Sequence, residues 1–340
     1  MLKRYRLQFT APLHISSGGF GLESADTYIH SDTLFSAVAA MAVDLLGETA
    51  ATQHFFDTKA PAIALSSAFP WRKDVCFFPK PLSLQPKWNW EEEEAVDFQK
   101  AWRSVKFISE ELLRPALAKG DFFLKKEDFQ DCYAKHCLSH KLLDNFYENV
   151  ELPRVVLDRI TNAATIFHFA QVTFEQDSGL FFLARFEDEK VRASFEAALR
   201  ALGDEGIGGE RSSGKGLFEL KDVTDFEMPN VDTPMGCLNL SLFIPGDAEI
   251  GKIDFQQSYF RLLNRRGWVS RHTVRRKTRR TVAEGSVLRF ATKAFEPTGE
   301  LEQMFKAGQF TLHHDVYRSW QAITLPIHIL SDSYQNDNEL

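Results

Sequence analysis

Alternation of apolar and polar positions opens the chain: Tyr5, Leu7 and Phe9 alternate with Arg4, Arg6 and Gln8, which predicts a strand over residues 2–15. A small-residue loop with Ser16, Ser17, Gly18 and Gly19 follows. Leu34, Val38, Met41 and Leu45 then recur at helical spacing. They predict a helix over 33–46, with Ser31-Asp32 placed to cap its first amides. Residues 62–69 read as a strand. From about 85 to 150 the pattern turns polar–aromatic and predicts a mostly helical insertion, in which the run Glu91 to Glu94 is a solvated first turn. Beyond it come a long hairpin over about 154–174, a strand over 178–186, an amphipathic helix over 188–202 and a strand over 216–223. The order is β-α-β, insertion, β-α-β: an α+β, ferredoxin-like (RRM-like) arrangement.

A linker is expected near residues 228–235, where Pro229 and Pro234 fall. After it, a strand over 238–244, a helix over 255–263 and strands over 286–290 and 321–330 suggest the pattern again. The chain therefore divides into a domain over 1–228 and a second ferredoxin-like domain over 236–332.

Composition adds little except through its unevenness. The 340 residues are 44% hydrophobic and 26% charged, ordinary values for folded domains. Net charge is −7, yet Arg261 to Arg280 holds nine Arg or Lys and no acid, leaving −16 on the rest. One basic surface on an acidic body is implied, and a local surface of that kind is where a phosphate backbone can lie. No stretch approaches the ~20 apolar residues of a membrane span, and four scattered cysteines do not make a disulfide framework. A cytoplasmic protein is expected. Cys132, His136 and His140 would share one face of a helix, an arrangement that more often is incidental than a metal site.

The segment Gly206 to Gly216, with Gly208, Gly209, Arg211, Ser212, Ser213 and Lys215, is the most informative. It fits part of a Walker A pattern, but Gly216 stands where Ser or Thr should ligate magnesium, and the loop leads from helix to strand instead of strand to helix. Nucleotide hydrolysis is excluded on both counts. Glycines still permit close approach by a ligand backbone, and the hydroxyl and cationic side chains suit phosphate and ribose oxygens.

This loop, with Leu217 and Phe218 after it, resembles the glycine-rich signature of the RAMP superfamily of CRISPR systems. Three further stretches are similar to that superfamily: His30 to Ala37, Pro153 to Ala164, and Arg266-Gly267-Trp268 followed by Arg275 to Lys277 and Gly285 to Val287. Together they resemble the subunit of the type III-A (Csm) effector that holds the repeat-derived 5′ handle of crRNA. The resemblance implies a non-catalytic scaffold with no cofactor and no metal. Its expected partners are the crRNA 5′ handle, the large polymerase-cyclase-like subunit and the repeating backbone RAMP subunit, with target RNA met only indirectly.

The residues expected at RNA are Ser17 and Gly18 in the first loop, Ser31, Thr33 and Ser36 at the first helix, and Arg159 and Thr161 on the hairpin. Gly208, Gly209, Arg211, Ser212, Ser213 and Lys215 in the glycine loop join them, as do Gly267, Trp268, Arg271, Arg275, Arg276 and Lys277 in the basic stretch. Asp32 would repel phosphate and is assigned to capping. The competing reading is a CRISPR endoribonuclease of the same fold, for which His14, Tyr28 and His30 are the available acid–base groups.

Overall fold

The computed structural model describes residues 1–16, 22–56, 61–88, 99–120, 122–124, 132–141, 143–269, 274–291, 295–310, 312 and 314–329. Strand β1 (Leu2–Phe9) buries alternate residues, Tyr5 and Leu7 completely. Helix α1 (Ser31–Leu46) lays Leu34, Phe35, Val38 and Ala42 against the sheet, and α2 (Glu48–Phe55) follows after Gly47. The next strand is interrupted. Both β2 (Ile63–Leu65) and β3 (Phe69–Arg72) pair with one partner strand, and the break at Ser66–Ala68 lies between them.

The insertion differs from its expectation. Strands β4 (Val75–Pro79), β5 (Lys87–Trp88) and β6 (Phe107–Ser109) precede α3 (Glu110–Lys119), which β7 (Phe123–Leu124), β8 (Tyr133–Ala134) and β9 (Cys137–Leu138) follow. Apart from α3 and a helical turn at 99–104, its described residues are extended, and β4, β6, β9 and β8 prolong the main sheet. The run Glu91 to Glu94 lies outside the described residues. Cys132, His136 and His140 share no helix either: Lys135 and His136 form the turn between β8 and β9, both at positive φ. Among the described residues, no group of three or more His, Cys, Asp or Glu side chains could hold a metal.

The long hairpin is present as β10 (Tyr147–Leu157) and β11 (Ala164–Phe174), paired over their full length. Then come β12 (Ser178–Phe186), α4 (Glu189–Glu205) and β13 (Phe218–Asp225). The sheet runs β13-β1-β12-β3 before the insertion strands. Counting β2 and β3 as one broken strand, this is the ferredoxin-like order 4-1-3-2, with α1 and α4 as its two helices.

The second half repeats that order with its helices reduced. Strand β14 (Gly236–Asn239) leads to α5 (Asp247–Ile250), β15 (Ile253–Tyr259), β16 (Leu262–Arg265), β17 (Arg279–Val282) and β18 (Val287–Phe290). Strands β19 (Leu301–Phe305), β20 (Val316–Ser319) and β21 (Thr324–Ile327) complete it. The sheet order β15-β18-β14-β21 is again 2-3-1-4, all antiparallel. The helix expected over 255–263 is instead β15, a turn and β16. Phe255, Tyr259 and Phe260 have helix-like spacing, but they belong to an edge strand whose register slips between Asp254 and Tyr259.

The halves share one core. Leu238, Leu240, Val287, Ile323 and Leu325 join the cluster built by the first sheet. The break between β2 and β3 is where they are stitched: Ser67 N donates to Leu240 O at 2.9 Å and Ser241 Oγ to Leu65 O at 2.9 Å. No described helix is long and apolar enough to cross a membrane.

Candidate nucleic-acid interface

The start of α1 departs from its reading as a simple cap. The residue preceding it is His30, whose side chain caps nothing; the first amide, Ser31 N, donates instead to Ser67 Oγ at 2.8 Å. Ser31 is buried, its Oγ accepting from Leu242 N at 2.9 Å. Asp32 is buried as well, and it caps nothing because two arginines from the second half hold it. Arg265 Nη2 donates to Oδ1 at 3.0 Å, and Arg318 Nε donates to Oδ2 at 3.0 Å. Burial alone would raise the Asp32 carboxyl, but Arg265 and then Arg318 outweigh it and hold it well below the usual carboxylate range. The repulsion expected from Asp32 is therefore neutralised within the fold.

Thr33 and Ser36 occupy the next positions at this helix end. Arg265 Nη2 also donates to Thr33 Oγ1 at 3.1 Å, and Arg276 Nη1 to Ser36 Oγ at 3.3 Å. Arg276 Nε and Arg318 Nη1 are buried without a hydrogen-bond partner. Burial, and next the neighbouring Arg318, push the Arg276 guanidinium down to about 10. Buried donors without acceptors are costly. A phosphate oxygen is an acceptor of the right charge, and the end of α1 adds its own positive dipole.

Opposite stands the glycine loop. It is less exposed than its composition suggests. Ile207 is buried and bonded to Gly216 O at 3.0 Å, while Gly209 N donates to His14 O at 2.9 Å. Gly208 has φ +97°, and a Cβ there would stand 2.4 Å from the His14 carbonyl oxygen. This tight seat leaves no room for a side chain at Gly208, and the backbone it admits closely is that of His14. Its cations are already placed: Arg211 Nη1 donates to Glu205 Oε1 at 2.8 Å, and Lys215 Nζ donates to Gln171 Oε1 at 2.5 Å. Ser212 and Ser213 are exposed on a short turn of 3-10 helix at Arg211–Ser213.

Between these walls lies a cleft of about 530 Å³, which brings together Thr33, Ser36, Gly208, Gly209, Arg211, Gly267, Trp268 and Arg276. Arg265, Arg266 and Arg318 line it too, as does His14. At its mouth Trp268 is 44% exposed, with the Arg275 guanidinium 4.8 Å from the ring centroid. Such a ring suits an unstacked base. Lys277 lies away from this wall, its Nζ 5.9 Å from the Phe305 ring centroid. Arg159 and Thr161 are exposed at the hairpin tip, where the structure does not bring them to the cleft. Further down the hairpin, Arg154 of β10 donates to Oε2 of Glu210, a residue of the cleft lining, at 3.1 Å and packs 4.3 Å from the Phe169 ring centroid. Ser17, Gly18 and Arg271 lie outside the described residues.

Sequence reasoning missed Arg318, Arg154 and the role of Asp32. Arg318 stands alone on a strand, 286 residues from the carboxylate it meets, and no local signal marks it.

Comparison with known proteins agrees with this geometry. The RAMP superfamily pattern matches residues 6–219, and that of the CRISPR Csm4 C-terminal domain matches 234–327. The CRISPR system Cms protein Csm4 of Thermococcus onnurineus (strain NA1) is 30% identical over 295 residues, covering 84% of this chain and 87% of that protein. The chain belongs to the RAMP superfamily, in its Csm4 family. A Csm4 protein of Methanocaldococcus jannaschii is 23% identical, with 96% and 97% of the two chains covered. The Csm4 fold also recurs among solved structures. A chain of a Csm1–Csm4 cassette in complex with cA4 superposes with TM-score 0.64 at 22% identity, covering 97% of this chain and 99% of that one. A chain of a Csm3–Csm4 subcomplex of the type III-A CRISPR-Cas interference complex gives 0.60 at 16% identity, with 96% and 99% covered.

Proposed function

We propose that this Csm4-family chain is a non-catalytic subunit of a type III-A CRISPR interference complex and holds the 5′ repeat-derived handle of crRNA in the cleft. The observation that carries the reading is that wall of guanidiniums. Arg265 and Arg318, held on Asp32 at the start of α1, line the cleft with Arg266 and Arg276, facing a glycine loop seated on His14. Relatives solved as Csm1–Csm4 and Csm3–Csm4 assemblies support a linking role, here between the large polymerase-cyclase-like subunit and the repeating backbone subunit. Target RNA is met through the crRNA.

Acid–base cleavage is disfavoured by the placement of the histidines. His30 is buried, its Nδ1 2.7 Å from Glu284 Oε1, where Ser67 also donates. His14 is held by Ala170 O at 2.7 Å through Nδ1. Tyr28 stands beside His30, ring centroids 4.8 Å apart, but His30 and Glu284 are buried, so this group does not offer an acid–base pair to a 2′-hydroxyl of bound RNA.

The test is binding of the purified chain to crRNA with its handle, against RNA of equal length lacking it. Tighter binding of the handle RNA is expected, with no cleavage product. Equal affinity would remove handle recognition; a product lost in a His14→Ala variant would restore the endoribonuclease reading.

A further inference from the structure

A second cavity of about 370 Å³ opens off the cleft between α1, α2 and β20. The two share Ser36, Ala40, Asp44 and Arg276. Arg276 also lines a third, shallower hollow with Arg266 and Arg275, so its side chain stands where all three meet. Behind it the second cavity is flat-walled and largely apolar. Phe56 and Tyr317 stack in one wall, centroids 4.7 Å apart and planes 8° from parallel, and Val43 and Val316 close the rest. Its polar lining holds three carboxylates, Asp44, Glu48 and Asp315, beside Ser36, Thr52, His314 and Arg276. Asp315 already accepts from Gln303, Ala307 and Tyr317, so Asp44 and Glu48 are the acidic wall that a ligand meets.

That distribution sorts the parts of a nucleotide. Carboxylates repel a phosphate, which the guanidinium at the neck attracts. An uncharged ring has no such penalty, gains from apolar and aromatic walls, and can give N–H groups to the carboxylates. Single-stranded RNA is commonly read by splaying one base out of the stack in this way. The size also suits a ligand site of this kind. Resting on the RNA-binding reading above, we propose that this cavity takes one unstacked nucleobase of the bound RNA. The base enters past Ala40, turns an exocyclic amino group toward the acidic wall, and leaves its own phosphate at Arg276. Adenine, guanine and cytosine carry that amino group; uracil presents carbonyl oxygens on both sides of its one N–H and is disfavoured.

The experiment measures Kd for a set of handle RNAs, each abasic at one position, with wild type, Ala40→Leu and Thr52→Phe. Leucine is at home in a helix, and Thr52 is exposed at the cavity rim, so both variants should fold; thermal melts verify this. One abasic position should cost wild type roughly tenfold, the scale of a lost base–aromatic contact. Both variants should lose a similar factor on intact RNA and nothing further at that position. Uridine placed there should bind like the abasic RNA. Wild-type affinity in the folded variants, or an equal loss on every abasic RNA, would overturn the base subsite. Full recovery with uridine would overturn the acidic-wall recognition. Should wild type not prefer handle RNA at all, the handle reading falls, and the same coupling on the control RNA still judges the subsite.

Discussion

Single residues carry most of the charge logic. Asp32 is surrounded by guanidiniums it did not acquire locally, and removing it would leave Arg265 and Arg318 as buried, uncompensated cations. Breaking a buried pair in that manner costs about 3–5 kcal/mol. Asp32→Ala should therefore lower the midpoint of chemical denaturation sharply, measured without RNA. Adding RNA should restore part of the loss, because a phosphate replaces the missing anion. Arg276 has the opposite profile: its Nη1 bonds Ser36 while its buried Nε has no partner. Arg276→Ala should leave the fold standing and weaken RNA binding. One lost phosphate contact flattens the log–log salt dependence by about 0.7 for a single strand. An unchanged salt slope would mean that Arg276 does not touch the backbone.

At the scale of elements, the glycine loop is a fitted part, not a slack one. Gly208→Ala adds a Cβ 2.4 Å from a carbonyl oxygen at φ +97°, whereas Gly214→Ala, at φ +73°, meets nothing within 4 Å. The second change should cost only backbone strain, about 1–2 kcal/mol. The first should cost more and also weaken RNA binding, as loop and His14 separate; equal unfolding midpoints for the two variants would contradict this. The contrast also indicates what was legible beforehand. Strands β1, β12 and β13 and the long hairpin were readable, β1 because its buried residues alternate and β12 because it is a continuous apolar run. The insertion was not, since two-residue strands such as β5 and β8 carry no period. Residues 255–263 misled because an exposed edge strand with a slipped register can imitate helical spacing. In the site, the glycine loop and the basic stretch announced themselves by composition. Asp32 was misassigned because a residue's local context suggests a cap, while its partners lie 233 and 286 residues away.

For the whole molecule, the cleft exists only where the two halves meet, between the start of α1 and residues 265–268, 276 and 318, and contacts such as those of Asp32 hold the halves together. Stability should then depend on acidity through Asp32. Its carboxyl is lowered by folding, so its contribution is fully present above the unfolded value of about 3.9. It is lost as pH falls below that value toward the folded one. Denaturation midpoints should decline below about pH 4, and more steeply in wild type than in Asp32→Asn, where no such proton is taken up. Parallel curves would assign acid sensitivity to other carboxylates. RNA binding should fade over the same range only as far as the folded fraction falls, because Asp32 stays ionised in the folded protein and keeps Arg265 and Arg318 in place.

The distance along the chain from Asp32 to Arg318 also sets a clock during synthesis. A ribosome that has just added Asp32 must add 286 more residues before Arg318 exists. At typical elongation rates that takes roughly 15–60 s. Only in the last part of that interval, once residues 206–216 have been added, does the emerging chain have its glycine loop, and the opposing wall still lacks Arg318; on the proposed reading such a chain should hold RNA poorly. On that reading loading is deferred to nearly finished protein, and a truncated product of interrupted translation would leave the guide RNA free for intact copies.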